Sequence, residues 1–194
     1  MPDLRTRLIA ALSHEGGASS DFDLNKDVVV PALKLTPAAV LIGVRTETET
    51  VILTKRSPRL KHHPGQIAFP GGKQDAIDLT PVDAALREAR EEIGLPSDMV
   101  EVLGTLPPHQ TVTGYQVTPV LSVIRGNYVP IPEAGEVSEI FEIPLAHLMR
   151  PEMYRVEGRQ WQGRRRLYYT VPFGPYYVWG ATARMLRVLA ERLS

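Results

Sequence analysis

Three glutamates at helical spacing are the residues of this sequence best placed to do chemistry. Glu88, Glu91 and Glu92 stand at positions i, i+3 and i+4, so a helix brings them to one side. Carboxylates this close repel one another unless a cation neutralises them. Converging hard oxygen ligands suit Mg²⁺ or Mn²⁺. A solvated acidic face explains the same spacing without any ligand, and for the glutamates alone it is the simpler interpretation.

Two glycines ahead of the glutamates favour the metal interpretation. Gly71 and Gly72 let the backbone come close to a ligand, and a carbonyl there can join a metal shell. Arg87 precedes Glu91 by four residues, and it is therefore placed to orient that carboxylate by a salt bridge.

The helix that presents these glutamates has marked ends. Thr80 suits the N-cap, Pro81 the first helical position and Asp83 a capping box. Gly94 suits a left-handed stop, so we predict a helix over Pro81–Ile93. Its apolar stripe, which we expect to pack on a sheet, consists of Val82, Ala85, Leu86, Ala89 and Ile93.

A basic segment lies just before the helix. It contributes the cations Lys55, Arg56, Arg59, Lys61 and Lys73 and the imidazoles His62 and His63. In a protein of zero formal net charge, this concentrates positive potential where a polyphosphate could bind. A solvated basic loop is the alternative.

The remaining pattern predicts one mixed α/β domain over residues 1–194, with helices covering a central sheet. Strands are expected over Pro37–Val44, Thr50–Lys55, Val100–Leu106, Gln116–Ile124, Met153–Glu157 and Leu167–Val171. Further helices are expected over residues 1–13 (an N-terminal extension), Leu145–Met149 and Ala181–Leu193, with a loop over Ser13–Asp27.

Composition restricts the function classes. The absence of cysteine excludes disulfides, thiolate metal sites and cysteine nucleophiles. Balanced charge argues against broad nucleic-acid or anionic-membrane binding. No apolar run is long enough for a membrane span, and the first thirteen residues lack the core of a signal peptide. We expect a cytoplasmic protein, and a homodimer is left open.

The helix segment resembles the Nudix box. Arg87-Glu88-Ala89-Arg90-Glu91-Glu92-Ile93-Gly94-Leu95 matches every fixed position of its second half, R-E-U-x-E-E-x-G-U. The first half, G-x5-E-x7, departs from the pattern, because Asp78 stands where Glu is usual and eight residues rather than seven separate it from Arg87. A role for Asp78 is therefore open.

The segment before the box resembles the signature of the coenzyme A pyrophosphatase branch, L-L-T-x-R-[S/A]-x3-R-x3-G-x3-F-P-G-G. The residues that stand in register with this signature are Ile52, Leu53, Thr54, Arg56, Ser57, Gly65 and Phe69-Pro70-Gly71-Gly72. Lys61 replaces the second arginine, which keeps the charge but loses the bidentate fork. Later segments are similar too, namely Thr113-Gly114-Tyr115, Glu136-Val137 and Val178-Trp179-Gly180-Ala181-Thr182-Ala183.

The resemblance implies an α/β/α sandwich and a Mg²⁺-dependent hydrolase, with Mn²⁺ able to substitute. It implies a metal shell of Glu88, Glu91, Glu92 and the Gly72 carbonyl. The small-molecule substrate would be coenzyme A or a derivative, cut to 3′,5′-ADP and 4′-phosphopantetheine. The residues expected to bind it are Arg56, Ser57, Arg59, Lys61, Phe69, Gly71 and Lys73. We expect cations such as Arg56, Arg59 or Lys61 to hold its 3′-phosphate.

The catalytic base and the substrate each leave alternatives. Glu88 can be a metal ligand or the base, and Glu136 is the preferred loop candidate ahead of Glu139. Other Nudix substrates, such as ADP-ribose, a dinucleotide or a non-standard nucleoside triphosphate, stay open, as does a module that binds nucleotide without cutting it. Tyr176, Tyr177 and Trp179 could stack on adenine, but an aromatic cluster is more often core.

Overall fold

The computed structural model describes residues 3–14, 16–28, 34–161 and 163–193. Its α-helices are α1 (Leu4–Ser13), α2 (Pro81–Ile93), α3 (Leu145–Leu148) and α4 (Gly180–Leu193). Its strands are β1 (Ser19–Ser20), β2 (Thr36–Arg45), β3 (Thr50–Arg56), β4 (Ile67–Ala68), β5 (Gly71–Lys73), β6 (Val100–Thr105), β7 (His109–Gln110), β8 (Tyr115–Ile124), β9 (Val137–Pro144), β10 (Arg155–Trp161), β11 (Arg164–Phe173) and β12 (Tyr176–Trp179). Within these residues, no helix is both long and apolar enough to cross a membrane.

The central sheet mixes parallel and antiparallel pairs. Its strands follow the order β1-β7-β8-β2-β3-β4, while β5 pairs with β2, β6 with β8 and β9 with β3. Strands β2 and β8 run parallel along their full lengths, whereas β3 is antiparallel to both β2 and β9. A separate antiparallel sheet has the order β10-β11-β12.

The sheet is buried on both faces. Along β2, Ala39 and Leu41 pack with α2, while Ile42 and Val44 join the core on the other side, because successive side chains of a strand point to opposite faces. Helices α1 and α4 contribute to that second core, as does the β10–β12 sheet. The expected α/β/α sandwich with a mixed central sheet is therefore confirmed.

Most predicted elements occur close to their expected bounds. Helix α2 begins and ends as predicted, and the N-terminal helix is observed from Leu4 to Ser13, with residues 1–2 outside the described part of the chain. One strand prediction and one loop prediction were incomplete. The segment predicted over Met153–Glu157 starts with a 3₁₀ turn at Pro151–Met153 before β10, and the predicted loop over Ser13–Asp27 contains β1, which pairs with β7.

Strand β9 was missed. Glu139, which lies within it, was expected in a loop, because proline and glycine are frequent in the preceding residues 130–135. In the structure β9 pairs with β3, and Phe141 lies opposite Leu53. The partner lies far away in the sequence, so local composition did not reveal the strand.

Candidate active site

Local sequence determines both ends of α2, the helix that carries the three glutamates. Thr80 Oγ1 accepts the Asp83 N–H at 3.2 Å, and Asp83 Oδ2 accepts the Thr80 N–H at 2.8 Å. These reciprocal bonds form the predicted capping box. Gly94 ends the helix in the left-handed region with φ 68°, as predicted. The helix phase, and hence the direction of each glutamate, follows from these caps.

A loop that the sequence did not relate to α2 closes over the helix C-terminus. The Tyr128 hydroxyl and the Ile131 N–H both donate to the Ile93 carbonyl. The Glu133 N–H donates to the Glu92 carbonyl at 2.9 Å. These bonds satisfy carbonyls that a helix end leaves unpaired. The loop then runs directly into Glu136, which it brings to the glutamate side of α2.

Glu92 is the most buried of the three glutamates, with 5% of its surface exposed. Its Oε2 accepts the Gly71 N–H at 3.0 Å. Burial raises the pKa of this carboxyl to about 7, with further increases from Glu88 and Glu136, while the Gly71 N–H and Arg56 act in the opposite direction. The carboxylate therefore points into the junction of α2 and β5, rather than lying on a solvated face.

Glu88 packs against the second glycine of the box. A Cβ added to Gly72 would lie 2.5 Å from Glu88 Oε1, so a larger residue there would displace this carboxylate from its present position. Burial raises the pKa of Glu88, although the hydrogen bond from Arg87 Nη1, 3.0 Å long, lowers it. Gly72 and Glu88 thus place a backbone segment and a carboxylate side by side.

Arg87 connects the helix to the loop before it. Its Nη1 donates to Glu91 Oε2 at 3.1 Å, which confirms the predicted salt bridge. Its Nη2 donates to Asp78 Oδ2 at 2.9 Å and to the Lys73 carbonyl at 3.0 Å. Hydrogen bonds from Arg87 hold the pKa of the buried Asp78 below its usual value. Asp78, which the box pattern left open, therefore positions Arg87.

The donor set is suited to a hard divalent cation. Glu92 and Glu88 are carboxylates whose pKa values burial raises, and a cation would stabilise their charged forms. Glu91 is largely exposed and held by Arg87. In the described part of the chain, no three acidic or imidazole side chains converge on one point as they stand. A three-carboxylate shell would require Glu91 to turn from Arg87, which holds it next to the other two glutamates.

Arg56 is the last residue of β3. Its positive charge lowers the pKa of Glu92. Its Nε is buried, and among the described residues this atom has no hydrogen-bond partner. A buried donor without a partner is costly, and an anionic oxygen bound at this guanidinium would satisfy it.

Glu136 is fixed beside Arg56 through backbone contacts. Its carbonyl accepts the Ser57 N–H at 2.7 Å, and its own N–H donates to Glu133 Oε2 at 2.8 Å. Its charge raises the pKa values of both Glu88 and Glu92. Glu139 does not share this position. It lies within β9, not in a loop as expected, and its Oε1 accepts the Tyr176 hydroxyl at 2.6 Å.

The other predicted substrate-binding residues divide into two groups. Arg59 and Lys61 are exposed on the turn after Ser57, and Lys73 is exposed 6.0 Å from the Tyr115 ring centroid. Phe69, in contrast, is 2% exposed and packs in the main core, where its side chain supports the sheet. Gly71 is required sterically, because an added Cβ would lie 2.4 Å from the Ala39 carbonyl oxygen.

Of the three aromatic residues of β12, which were expected to form part of the core, only Tyr176 packs there. Tyr176 does pack on the core, stacked on Phe141 with centroids 3.6 Å apart. Tyr177 is exposed and Trp179 is only half-buried. For these two residues the core interpretation was wrong, because alternate residues of β12 point away from the core.

Comparison with known proteins gives one consistent family. The model of the NUDIX domain matches residues 34–168. The uncharacterized Nudix hydrolase NudL of Klebsiella pneumoniae (strain 342) is 44% identical over 163 residues, which are 84% of this chain and 85% of that protein. The NudL of Enterobacter sp. (strain 638) is 43% identical over 157 residues, 80% of this chain and 82% of that protein.

Solved structures give weaker matches. The Nudix hydrolase RenU of M. smegmatis has 24% identity and a TM-score of 0.47, covering 58% of this chain and 71% of that one. The MutT protein of Methanosarcina mazei Go1 has 16% identity and a TM-score of 0.49, covering 62% of this chain and 84% of that one.

Proposed function

Because the chain belongs to the Nudix family, we propose that it hydrolyses the diphosphate bond of coenzyme A or a derivative, yielding 3′,5′-ADP and 4′-phosphopantetheine or its acylated form. The family supports a hydrolase of a small-molecule substrate. The observation that carries the proposal is Arg56, whose buried Nε has no partner among the described residues. Its place in the basic signature before the box favours coenzyme A over other diphosphates.

The metal site of the proposed enzyme consists of Glu88, Glu91, Glu92 and the Gly72 carbonyl. Mg²⁺, or Mn²⁺ in its place, would supply charge neutralisation on the diphosphate oxygens. The cramped contact between Gly72 and Glu88 and the raised pKa of Glu92 support this set. Arg87, held by Asp78, keeps Glu91 beside the site.

Arg56 binds the diphosphate in this proposal, and Glu136 accepts the proton of the attacking water. The proximity of Glu136 to both Glu88 and Glu92 supports that role. Glu139 is less suitable because its carboxylate already binds Tyr176. Glu88 remains the alternative base. Its hydrogen bond with Arg87 favours the ionised carboxylate, which is the form that a metal ligand needs.

The experiment that tests the proposal is a panel of diphosphates with Mg²⁺, with products identified by mass. Coenzyme A should be cut with higher kcat/KM than its dephospho form and ADP-ribose, by about ten- to a hundredfold, as one charge-assisted contact provides. Full turnover in excess chelator would contradict the metal site. Faster cleavage of ADP-ribose or a nucleoside triphosphate would contradict the coenzyme A assignment and leave the Nudix chemistry in place.

A non-catalytic nucleotide-binding module is the competing function. All three helix glutamates of the box are present in this chain, which favours catalysis. The same panel separates the two functions, because a binding module would retain nucleotide without forming any product.

A further inference from the structure

A surface depression lies beside Arg56, whose backbone is hydrogen-bonded to Gly65 and Gln66 in its lining. Its cavity volume is about 280 Å³, close to the lower end of roughly 300 Å³ for small-molecule pockets. It is lined by His63, Pro64, Gly65, Gln66, Arg159 and Trp179. The lining residues thus come from the turn before β4 and from the β10–β12 sheet, two parts of the chain that the sequence did not connect.

One wall of the depression is aromatic. The Trp179 indole meets the Tyr168 ring edge to face, with centroids 5.2 Å apart and an interplanar angle of 63°. The Arg159 guanidinium lies over the Trp179 ring, 4.5 Å from its centroid. Nucleobases stack readily on aromatic rings and on arginine guanidinium planes. The Arg159 guanidinium, stacked on the half-buried Trp179 indole, is therefore a suitable surface for a purine.

The charge in the depression is positive. In the described part of the chain, Arg159 has no carboxylate partner, and its recorded contact is with Trp179. Burial lowers the pKa of His63, and the charges of Arg56 and Arg159 lower it further, against an opposing contribution from Asp21. Asp21 itself is engaged by the Val112 N–H and by His109. An anion bound here would be held by the Arg159 guanidinium, while the lowered pKa of His63 leaves its imidazole mainly uncharged at pH 7 and able to donate an N–H.

The depression is joined to the proposed diphosphate site through the backbone of Arg56. The Arg56 N–H donates to the Gln66 carbonyl at 2.9 Å, and its carbonyl accepts the Gly65 N–H at 3.1 Å. The positive charge of Arg56 lowers the pKa values of both Glu92 and His63. His63, in the lining of the depression, therefore lies within electrostatic reach of the same guanidinium that acts on Glu92.

We propose that this depression binds the 3′-phosphorylated nucleoside end of the substrate. The adenine ring stacks against the Trp179–Arg159 pair, and Arg159 and His63 bind the 3′-phosphate. The inference rests on the proposed function, which supplies coenzyme A as the substrate. It assigns recognition of the 3′-phosphate to residues outside the basic segment, whereas Arg59 and Lys61, the sequence-based candidates, lie exposed on the adjacent turn.

Direct binding of a product tests the subsite without turnover. Trp161 and Trp179 are the two tryptophans of the chain, so Trp161→Phe leaves Trp179 as the fluorescent reporter. Without metal, adenosine 3′,5′-bisphosphate should quench this fluorescence and bind at least about tenfold more tightly than adenosine 5′-phosphate. Arg159→Ala should reduce that ratio to about one. Arg164→Ala, on the same hairpin but outside the depression, should leave it unchanged.

Kinetics provide a second measurement. Arg159→Ala should lower the ratio of kcat/KM for coenzyme A to that for dephospho-coenzyme A by about tenfold or more. Trp179→Ala should lower kcat/KM for both substrates by a similar factor, and Trp179→Phe should restore most of the loss. An unchanged ratio in Arg159→Ala would overturn the subsite.

The two proposals fail in different ways. If the bisphosphate binds and quenches Trp179 while coenzyme A is not the preferred substrate, the proposed function is wrong and the subsite stands. If coenzyme A is preferred but Arg159→Ala changes neither the ratio of the two nucleotide affinities nor the ratio of the two kcat/KM values, the proposed function stands and the subsite is wrong.

Discussion

Glu92 combines burial with charge in a way that a structural glutamate rarely does. Its carboxylate is 5% exposed and accepts only the Gly71 N–H among the hydrogen bonds of the described residues. Glu88 and Glu136 add like charge nearby. Such an arrangement is unfavourable for folding alone, and the proposed cation would offset it.

Glu92→Gln tests this role. The substitution should lower kcat by at least about a hundredfold, because the metal site loses one charge. The fold should persist, since the amide oxygen can still accept the Gly71 N–H. Glu152→Gln, at an exposed ion pair with Arg150, is the matched control. Near-normal kcat at saturating Mg²⁺ would show that Glu92 has no part in the chemistry.

The metal-free protein should also lose stability as pH rises. The pKa of Glu92 is raised from 4.5 to about 7 in the folded protein, so the native state holds this proton more tightly than the unfolded chain. This proton stabilises the native state fully below about pH 4.5. The stabilisation, on the order of 3 kcal/mol in total, is lost as pH rises to about 7. Urea unfolding in excess chelator should show this decline. It should be smaller in Glu92→Gln, and an equal decline in both proteins would contradict the assignment.

At the scale of elements, α2 and the loop before it act together. Asp78 holds Arg87, and Arg87 holds Glu88 and Glu91. The loop contains the one-residue insertion of the box. The insertion therefore does not detach the shortened acid from the site, because Asp78 reaches the helix through Arg87.

Asp78→Asn should weaken the metal site without removing a metal ligand. Without the Asp78 carboxylate, Arg87 would compete more strongly with the metal ion for Glu88 and Glu91. We expect the Mg²⁺ concentration for half-maximal activity to rise by about ten- to a hundredfold, as for other residues that orient metal ligands. Asp75→Asn is the control, since Asp75 is exposed and 3.8 Å from Arg87. An unchanged Mg²⁺ requirement would assign Asp78 to stability alone.

At the scale of the whole molecule, the sheet separates the proposed chemistry from much of the core. Helix α2 and its glutamates lie on one face, while α1, α4 and the β10–β12 sheet pack on the other. Substitutions in α1 should therefore affect stability far more than catalysis.

Leu8→Ala tests this separation. Leu8 is 0% exposed in the main core, so the free energy of unfolding should fall by about 2–5 kcal/mol. kcat at saturating Mg²⁺ should stay near normal below the unfolding transition. Leu79→Ala is a matched control, because Leu79 is 89% exposed, and its stability should change by less than about 0.5 kcal/mol. A large loss of kcat in folded Leu8→Ala would show that the two faces are coupled.

The sequence by itself determined α2, its caps, the Arg87–Glu91 salt bridge and the family. These features depend on residues within a few positions of one another, and helical spacing converts such short separations directly into geometry. The continuous apolar run of β2 likewise indicated a buried strand, since a strand covered on both faces is an uninterrupted apolar run.

Only the tertiary structure decided which glutamate is buried and what surrounds the site. The approach of Glu136 depends on the loop that closes over α2 and on the pairing of β9 with β3. The contact of Arg159 with Trp179 depends on the β10–β12 sheet. These contacts join residues far apart in the chain, and their partners are selected by packing and strand pairing rather than by local propensity. Burial, which sets the pKa of Glu92, is a property of the assembled layers and has no signal in the spacing of residues along the helix.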